Sequence, residues 1–93
     1  MEHKQIKEKI LDLLSGLFAD SEIDRSVLEY VDLVDDLGMD SINFISLIVE
    51  LESTFQIKIP DEWMLVQKFQ TYSLIENVVE ALISAEKAEE IVP

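Results

Sequence analysis

The sequence predicts an all-α fold: a four-helix bundle whose third helix is short, with a long ordered loop between helices one and two. Three observations predict it. Leucine and isoleucine recur at three- and four-residue steps in three separate stretches, the spacing that builds one apolar face of a helix. Breakers are scarce, with two glycines and two prolines in 93 residues, while Leu, Ile, Glu and Lys are abundant and favour helices. The alternating stretch Gln56–Pro60 is brief and reads as a connector.

The first helix is expected over residues 4–18. Ile6, Ile10, Leu13, Leu14 and Leu17 share one face, and Asp20-Ser21 supplies a stop. Residues 19–40 lack sustained periodicity. Ile23, Val27, Leu28, Tyr30, Val31, Leu33 and Leu37 are too frequent for a solvated linker, so this stretch is expected to lie across the bundle with a short helical turn. The clearest helix spans residues 41–55, with Asp40 as its N-cap and Phe44, Leu47, Ile48, Leu51 and Phe55 as its core stripe. Ile42, Ile45 and Val49 form a second apolar stripe, well round the helix at about 100° per residue. Such a stripe is either offered to a partner or covered by the loop Ile23–Leu33, and exposure is the expectation.

Asp61 and Glu62 open a short helix through Lys68, rich in apolar side chains (Trp63, Met64, Leu65, Val66). Trp63 and Met64 are expected to pack rather than to line a groove. The last helix is expected over residues 73–86, with Ser73 and Glu76 at capping-box spacing and Leu74, Val78, Val79, Leu82 and Ile83 facing the core. Residues 1–86 then form one domain, and residues 87–93 a frayed tail.

Acids outnumber bases 20 to 7, for a formal charge of −13. That field repels nucleic acid and suits a basic protein surface. Cysteine is absent, which removes disulfides, thiolate metal sites and a cysteine nucleophile. No apolar run is long enough for a membrane span. A monomer in the cytoplasm is expected.

The stretch Asp35-Asp36-Leu37-Gly38-Met39-Asp40-Ser41-Ile42 carries the chemistry. It sets one hydroxyl at the start of a helix in an acidic setting. A serine nucleophile needs a base, and the single histidine, His3, sits at a terminus expected to be mobile. The glycine that follows the serine in a hydrolase elbow is also missing. Asp32, Asp35, Asp36 and Asp40 are hard oxygen ligands, but they lack the spacing of a calcium loop, and no metal site is expected. A helix start does favour an attached phosphate, through free amides and the dipole. Ser41 therefore reads as a place of attachment, with the chemistry supplied by another enzyme. The rival of a different class is an unmodified acidic bundle that only binds proteins.

The run Asp36-Leu37-Gly38-Met39-Asp40-Ser41-Ile42, with Glu50-Leu51-Glu52, Phe55 and Ile59-Pro60-Asp61-Glu62 downstream, resembles the acyl carrier protein family. The likeness is tightest from Leu33 to Glu62. It implies 4′-phosphopantetheine, taken from coenzyme A, esterified to Ser41, with an acyl or aminoacyl group carried as a thioester on the arm. It implies a recognition surface on Asp36, Asp40, Ile42, Ile45, Val49 and Glu52. It implies as partners a phosphopantetheinyl transferase, a loading enzyme for acyl or aminoacyl groups, and a downstream synthase or transferase. The chain itself would be a carrier, not an enzyme. Fatty-acid members of the family usually carry acids where this chain has Asn43, Ser46 and Ser53. The expectation is therefore a stand-alone carrier in a specialised polyketide, nonribosomal-peptide or aminoacyl-transfer pathway, with fatty-acid synthesis as the alternative.

Overall fold

The computed structural model describes residues 2–19 and 23–91, the side chains of the last helix only as far as residue 85. The expected helix stop at Asp20-Ser21 and the last two residues of the expected tail lie outside them. Three α-helices carry the fold: α1 (His3–Leu17), α2 (Ser41–Phe55) and α3 (Tyr72–Ile91). A 3₁₀ helix, Arg25–Tyr30, lies between α1 and α2. No strand occurs among the described residues; the only sheet-like contact is an isolated bridge between Asp32 and Thr71.

All three α-helices feed one core. From α1 come Ile6, Ile10, Leu11 and Leu14, from α2 Leu47, Ile48, Leu51 and Phe55, and from α3 Ile75, Val78, Val79 and Leu82. The periodicity found most of these. On α1, Leu13 and Leu17 are only half-buried, and Leu11 goes inside instead. On α3, Leu74 points out and Ile75 takes its core place. The helix begins one residue earlier than expected. The hydroxyl of Thr71, not Ser73, accepts from the Leu74 N–H at 3.3 Å. Glu76 faces Tyr72 and His3 instead of closing a capping box. The C-terminal end of α3 runs on to Ile91, five residues beyond the expected stop.

The short third helix takes the form of two 3₁₀ turns, Asp61–Trp63 and Val66–Lys68, broken at Met64-Leu65. Across the break, Trp63 and Met64 turn towards the core, Leu65 and Val66 stay outside, and Phe69 is fully buried. Phe69 meets Phe44 of α2 edge to face, with centroids 5.6 Å apart, a favoured aromatic geometry. The connector before these turns alternates as expected, with Ile57 and Ile59 buried and Lys58 exposed.

The loop from residue 23 to 40 does lie across the bundle, and Ile23, Val31 and Leu37 pack against the core as expected. Leu28, Leu33 and Met39 are buried, while Val27 and Tyr30 are exposed, Tyr30 at 80%. Arg25 adds an electrostatic tie to α1, with its guanidinium on Glu8 at 2.7 Å and on Asp12 at 2.9 Å. Lys7 reaches Glu29 at 3.0 Å. These exposed pairs orient the loop more than they stabilise it.

Candidate functional site

The site is the turn that leads into α2. Asp32 organises it. One carboxylate oxygen accepts from the N–H groups of Val34 and Asp35, at 2.9 and 2.8 Å, and the other from the Gln70 side chain at 2.9 Å. The Leu33 N–H donates to the Gln70 carbonyl at 2.8 Å. Asp36 returns the favour by accepting from the Asp32 N–H at 2.8 Å. Asp32, half-buried, and Asp36, exposed, thus each cap a loop amide. They do not meet Asp35 and Asp40 as a metal-binding group; among the described residues only His3, Glu76 and Glu80 come together in that way.

Gly38 then reverses the chain. Its φ of +67° is left-handed, a conformation costly for residues with a Cβ. A Cβ there would touch nothing within 4 Å, so the requirement is conformational and not one of space. The turn is closed by the Gly38 N–H on the Val34 carbonyl at 3.0 Å and the Met39 N–H on the Leu33 carbonyl at 2.8 Å. Met39 is buried, which anchors the turn immediately before the helix.

Asp40 caps α2 as expected. Its carboxylate accepts from the Asn43 N–H at 2.8 Å, and the Asn43 side chain accepts in return from the Asp40 N–H at 3.5 Å. Asn43, a neutral position in the sequence, thus completes the cap. The signal was there, in the spacing of Asp40 and Asn43, which is that of a capping box with Asn in place of Glu.

Ser41 is the first residue of α2 and is exposed. Its N–H and that of Ile42 take no protein hydrogen bond among the described residues. The hydroxyl therefore stands over the positive end of a helix with amides to spare, which fits an esterified phosphate. His3, the one histidine, lies between Glu80 and Glu76 of α3 and is engaged there, not with the Ser41 hydroxyl. No other side chain hydrogen-bonds the Ser41 hydroxyl among the described residues.

The second stripe of α2 is open. Ile42, Ile45 and Val49 are 73%, 62% and 55% exposed, so the loop Ile23–Leu33 does not cover them. Ser46 is half-buried and Ser53 exposed. Glu52 differs from the rest of the expected face. It is half-buried, and its carboxylate accepts from the Ile59 N–H at 2.9 Å. Together with the left-handed Gln56, φ 53°, it shapes the exit from α2.

A small helical bundle that offers a hydroxyl at the head of its second α-helix, beside an open apolar stripe and without a base, has the form of a carrier domain. The comparisons agree. The family described as the phosphopantetheine attachment site matches residues 8–82. An acyl carrier protein of Chlorobium phaeobacteroides is 40% identical over 65 residues, covering 67% of this chain and 77% of that protein. D-alanyl carrier proteins of Streptococcus pyogenes serotypes M5 and M1 are 41% identical over 69 residues, covering 68% of this chain and 84% of theirs. The chain belongs to the phosphopantetheine-binding acyl carrier protein family, whose prosthetic group is 4′-phosphopantetheine.

Proposed function

We propose that this protein carries acyl or aminoacyl intermediates as thioesters on a 4′-phosphopantetheine arm esterified to Ser41. The observation that carries the reading is the exposed hydroxyl of Ser41 at the first position of α2, over unbonded amides. The arm, once attached, supplies the thiol that a chain without cysteine lacks. The residues around Ser41 do the rest. Gly38 and Met39 fix the approach, Asp40 and Asn43 hold the first turn, and the helix end stabilises the phosphodiester.

Ile42, Ile45 and Val49 form the docking stripe, with Asp36 and Asp40 at its acidic edge. The chain's strong negative charge would speed its encounter with basic faces on a phosphopantetheinyl transferase, a loading enzyme and a downstream synthase or transferase. Glu52 is the weakest member of this face, because the Ile59 N–H already occupies it. The carrier has no catalytic role of its own and works in the cytoplasm. No helix among the described residues is long and apolar enough to cross a membrane.

The neutral character of Asn43, Ser46 and Ser53 favours a specialised pathway, and the likeness to D-alanyl carrier proteins favours aminoacyl cargo within it. Fatty-acid synthesis is the second reading, favoured by the likeness to an acyl carrier protein. Incubation with coenzyme A and a broad-specificity phosphopantetheinyl transferase, followed by intact mass measurement, tests the core of the proposal. One arm per chain is expected, and none on Ser41→Ala. An unmodified wild-type chain, or an arm that survives Ser41→Ala, would overturn it. Loading the modified protein with adenylating enzymes for amino acids and for fatty acids then separates the two cargo classes.

A further inference from the structure

Away from Ser41, the end of the bundle where α1 begins holds a cluster that the carrier function does not use. Glu76 and Glu80 stand one turn apart on α3, so their side chains share a face. His3, the first residue of α1, projects between them. Its Nδ1 is 2.8 Å from Glu80 Oε1, and its Nε2 is 3.4 Å from Glu76 Oε2. One ligand atom from each residue falls within 4.8 Å of the others.

We propose that His3, Glu76 and Glu80 form a binding site for a zinc-type divalent cation, which clasps the start of α1 to α3. The donor set selects the ion. One imidazole nitrogen with two carboxylates suits zinc, whereas calcium and magnesium prefer oxygen ligands throughout. Three protein ligands leave a fourth tetrahedral position for water, and the site is open enough to admit it.

Two features make the cluster more than a pair of surface acids. Glu76 is oriented: the buried Tyr72 donates its hydroxyl to the Glu76 carboxylate, as outer hydrogen-bond partners do for metal ligands. The other two ligands can adjust around it, since the side chains of His3 and Glu80 are 63% and 40% exposed. Lys7, one turn along α1 from His3, is already paired with Glu29 at 3.0 Å. An incoming ion therefore meets one oriented ligand and two that can swing.

The test uses the full chain, stripped of metal with a chelator and then titrated with zinc chloride. Calorimetry reads the stoichiometry, and the Hε1 proton resonance of the single histidine reads the site. One zinc per chain is expected, with a shift of the His3 signal and a rise in Tm that the chelator reverses. Magnesium chloride at the same concentration should move neither. Tyr72→Phe should weaken zinc binding about tenfold, the effect expected of an orienting partner, and His3→Asn or Glu80→Gln should weaken it further. Both of the latter replace exposed side chains and leave the core intact. Zinc that binds His3→Asn as tightly as the wild type, or that leaves the histidine signal unmoved, would be adsorbing to the acidic surface and would overturn the proposal.

Discussion

Alanine placed at each of the chain's two glycines should change stability in opposite directions. Neither position is crowded: a Cβ at Gly16 or at Gly38 meets nothing within 4 Å. Packing therefore drops out, and only backbone conformation remains. Gly16 lies in the last turn of α1 and is exposed, so alanine should stabilise by about 0.5–1 kcal/mol. Gly38 sits at φ +67°. There a Cβ costs about 1–2 kcal/mol in the left-handed region. The loss is offset by about 0.4–1 kcal/mol from the lower entropy of the unfolded chain. The net for Gly38→Ala is a loss of about 1 kcal/mol on these two terms. For a domain of this size, each kcal/mol moves Tm by about 4–8 °C. Thermal melts followed by circular dichroism, with urea titrations beside them, would resolve the two signs. Gly38→Asn should recover part of the loss, because asparagine enters the left-handed region more readily. The functional prediction follows from position. Gly38→Ala should slow modification of Ser41 in the transferase assay, and Gly16→Ala should not. Two alanine variants that shift Tm in the same direction, or an asparagine no better than alanine at residue 38, would refute the conformational reasoning.

Other outcomes follow from the same structure. Ile45→Glu should leave stability within about 0.5 kcal/mol, as for exposed positions generally, yet impair turnover by partner enzymes; unfolding would show that the stripe is core. Leu51→Ala, at a fully buried position of the same helix, should cost about 2–5 kcal/mol, measurable in urea. Asp40→Ala should cost about 1 kcal/mol through the lost cap and slow Ser41 modification, both read in the assays above. His3 titrates above its ordinary 6.5, first because of the hydrogen bond to Glu80 and then because of the charge of Glu76. A raised folded value means stability that is complete below 6.5 and lost as pH rises through the folded value. In chelator, the NMR titration midpoint of His3 should lie above 6.5 and fall in Glu80→Gln.

Much of this molecule was legible in one dimension because its signals are local. The core stripe of α2 follows from helical spacing, and the Asp40 cap from the residue type before that stripe. Gly38 and Ser41 stood out in the acidic run that precedes the helix. Less was legible wherever a side chain had a choice of partner. Ser73 with Glu76 carries the spacing of a capping box, but Thr71 is fastened to Asp32 by the bridge between loop and helix. The helix starts from there. Leu74 and Ile75 are equally apolar, and it is Ile75 that shares the buried face of Val78, Val79 and Leu82 at i, i+3, i+4 and i+7. The short third helix is two 3₁₀ turns, and its apolar side chains face both the core and the outside.

Sequence alone determined that the chain is helical with a serine at the head of its clearest helix, because periodicity and capping act over a few residues, and the resemblance of the flanking motif pointed to a carrier. Only the tertiary structure decided how the acids divide. Asp32 and Asp36 bind loop amides, Glu52 closes the exit of α2, and Glu76 and Glu80 gather His3 from the far end of the chain. The physical reason is that a carboxylate's role depends on which N–H or cation comes within hydrogen-bond reach. For Gln70 with Asp32, 38 residues away, and for Glu80 with His3, 77 away, that is settled only when the helices pack.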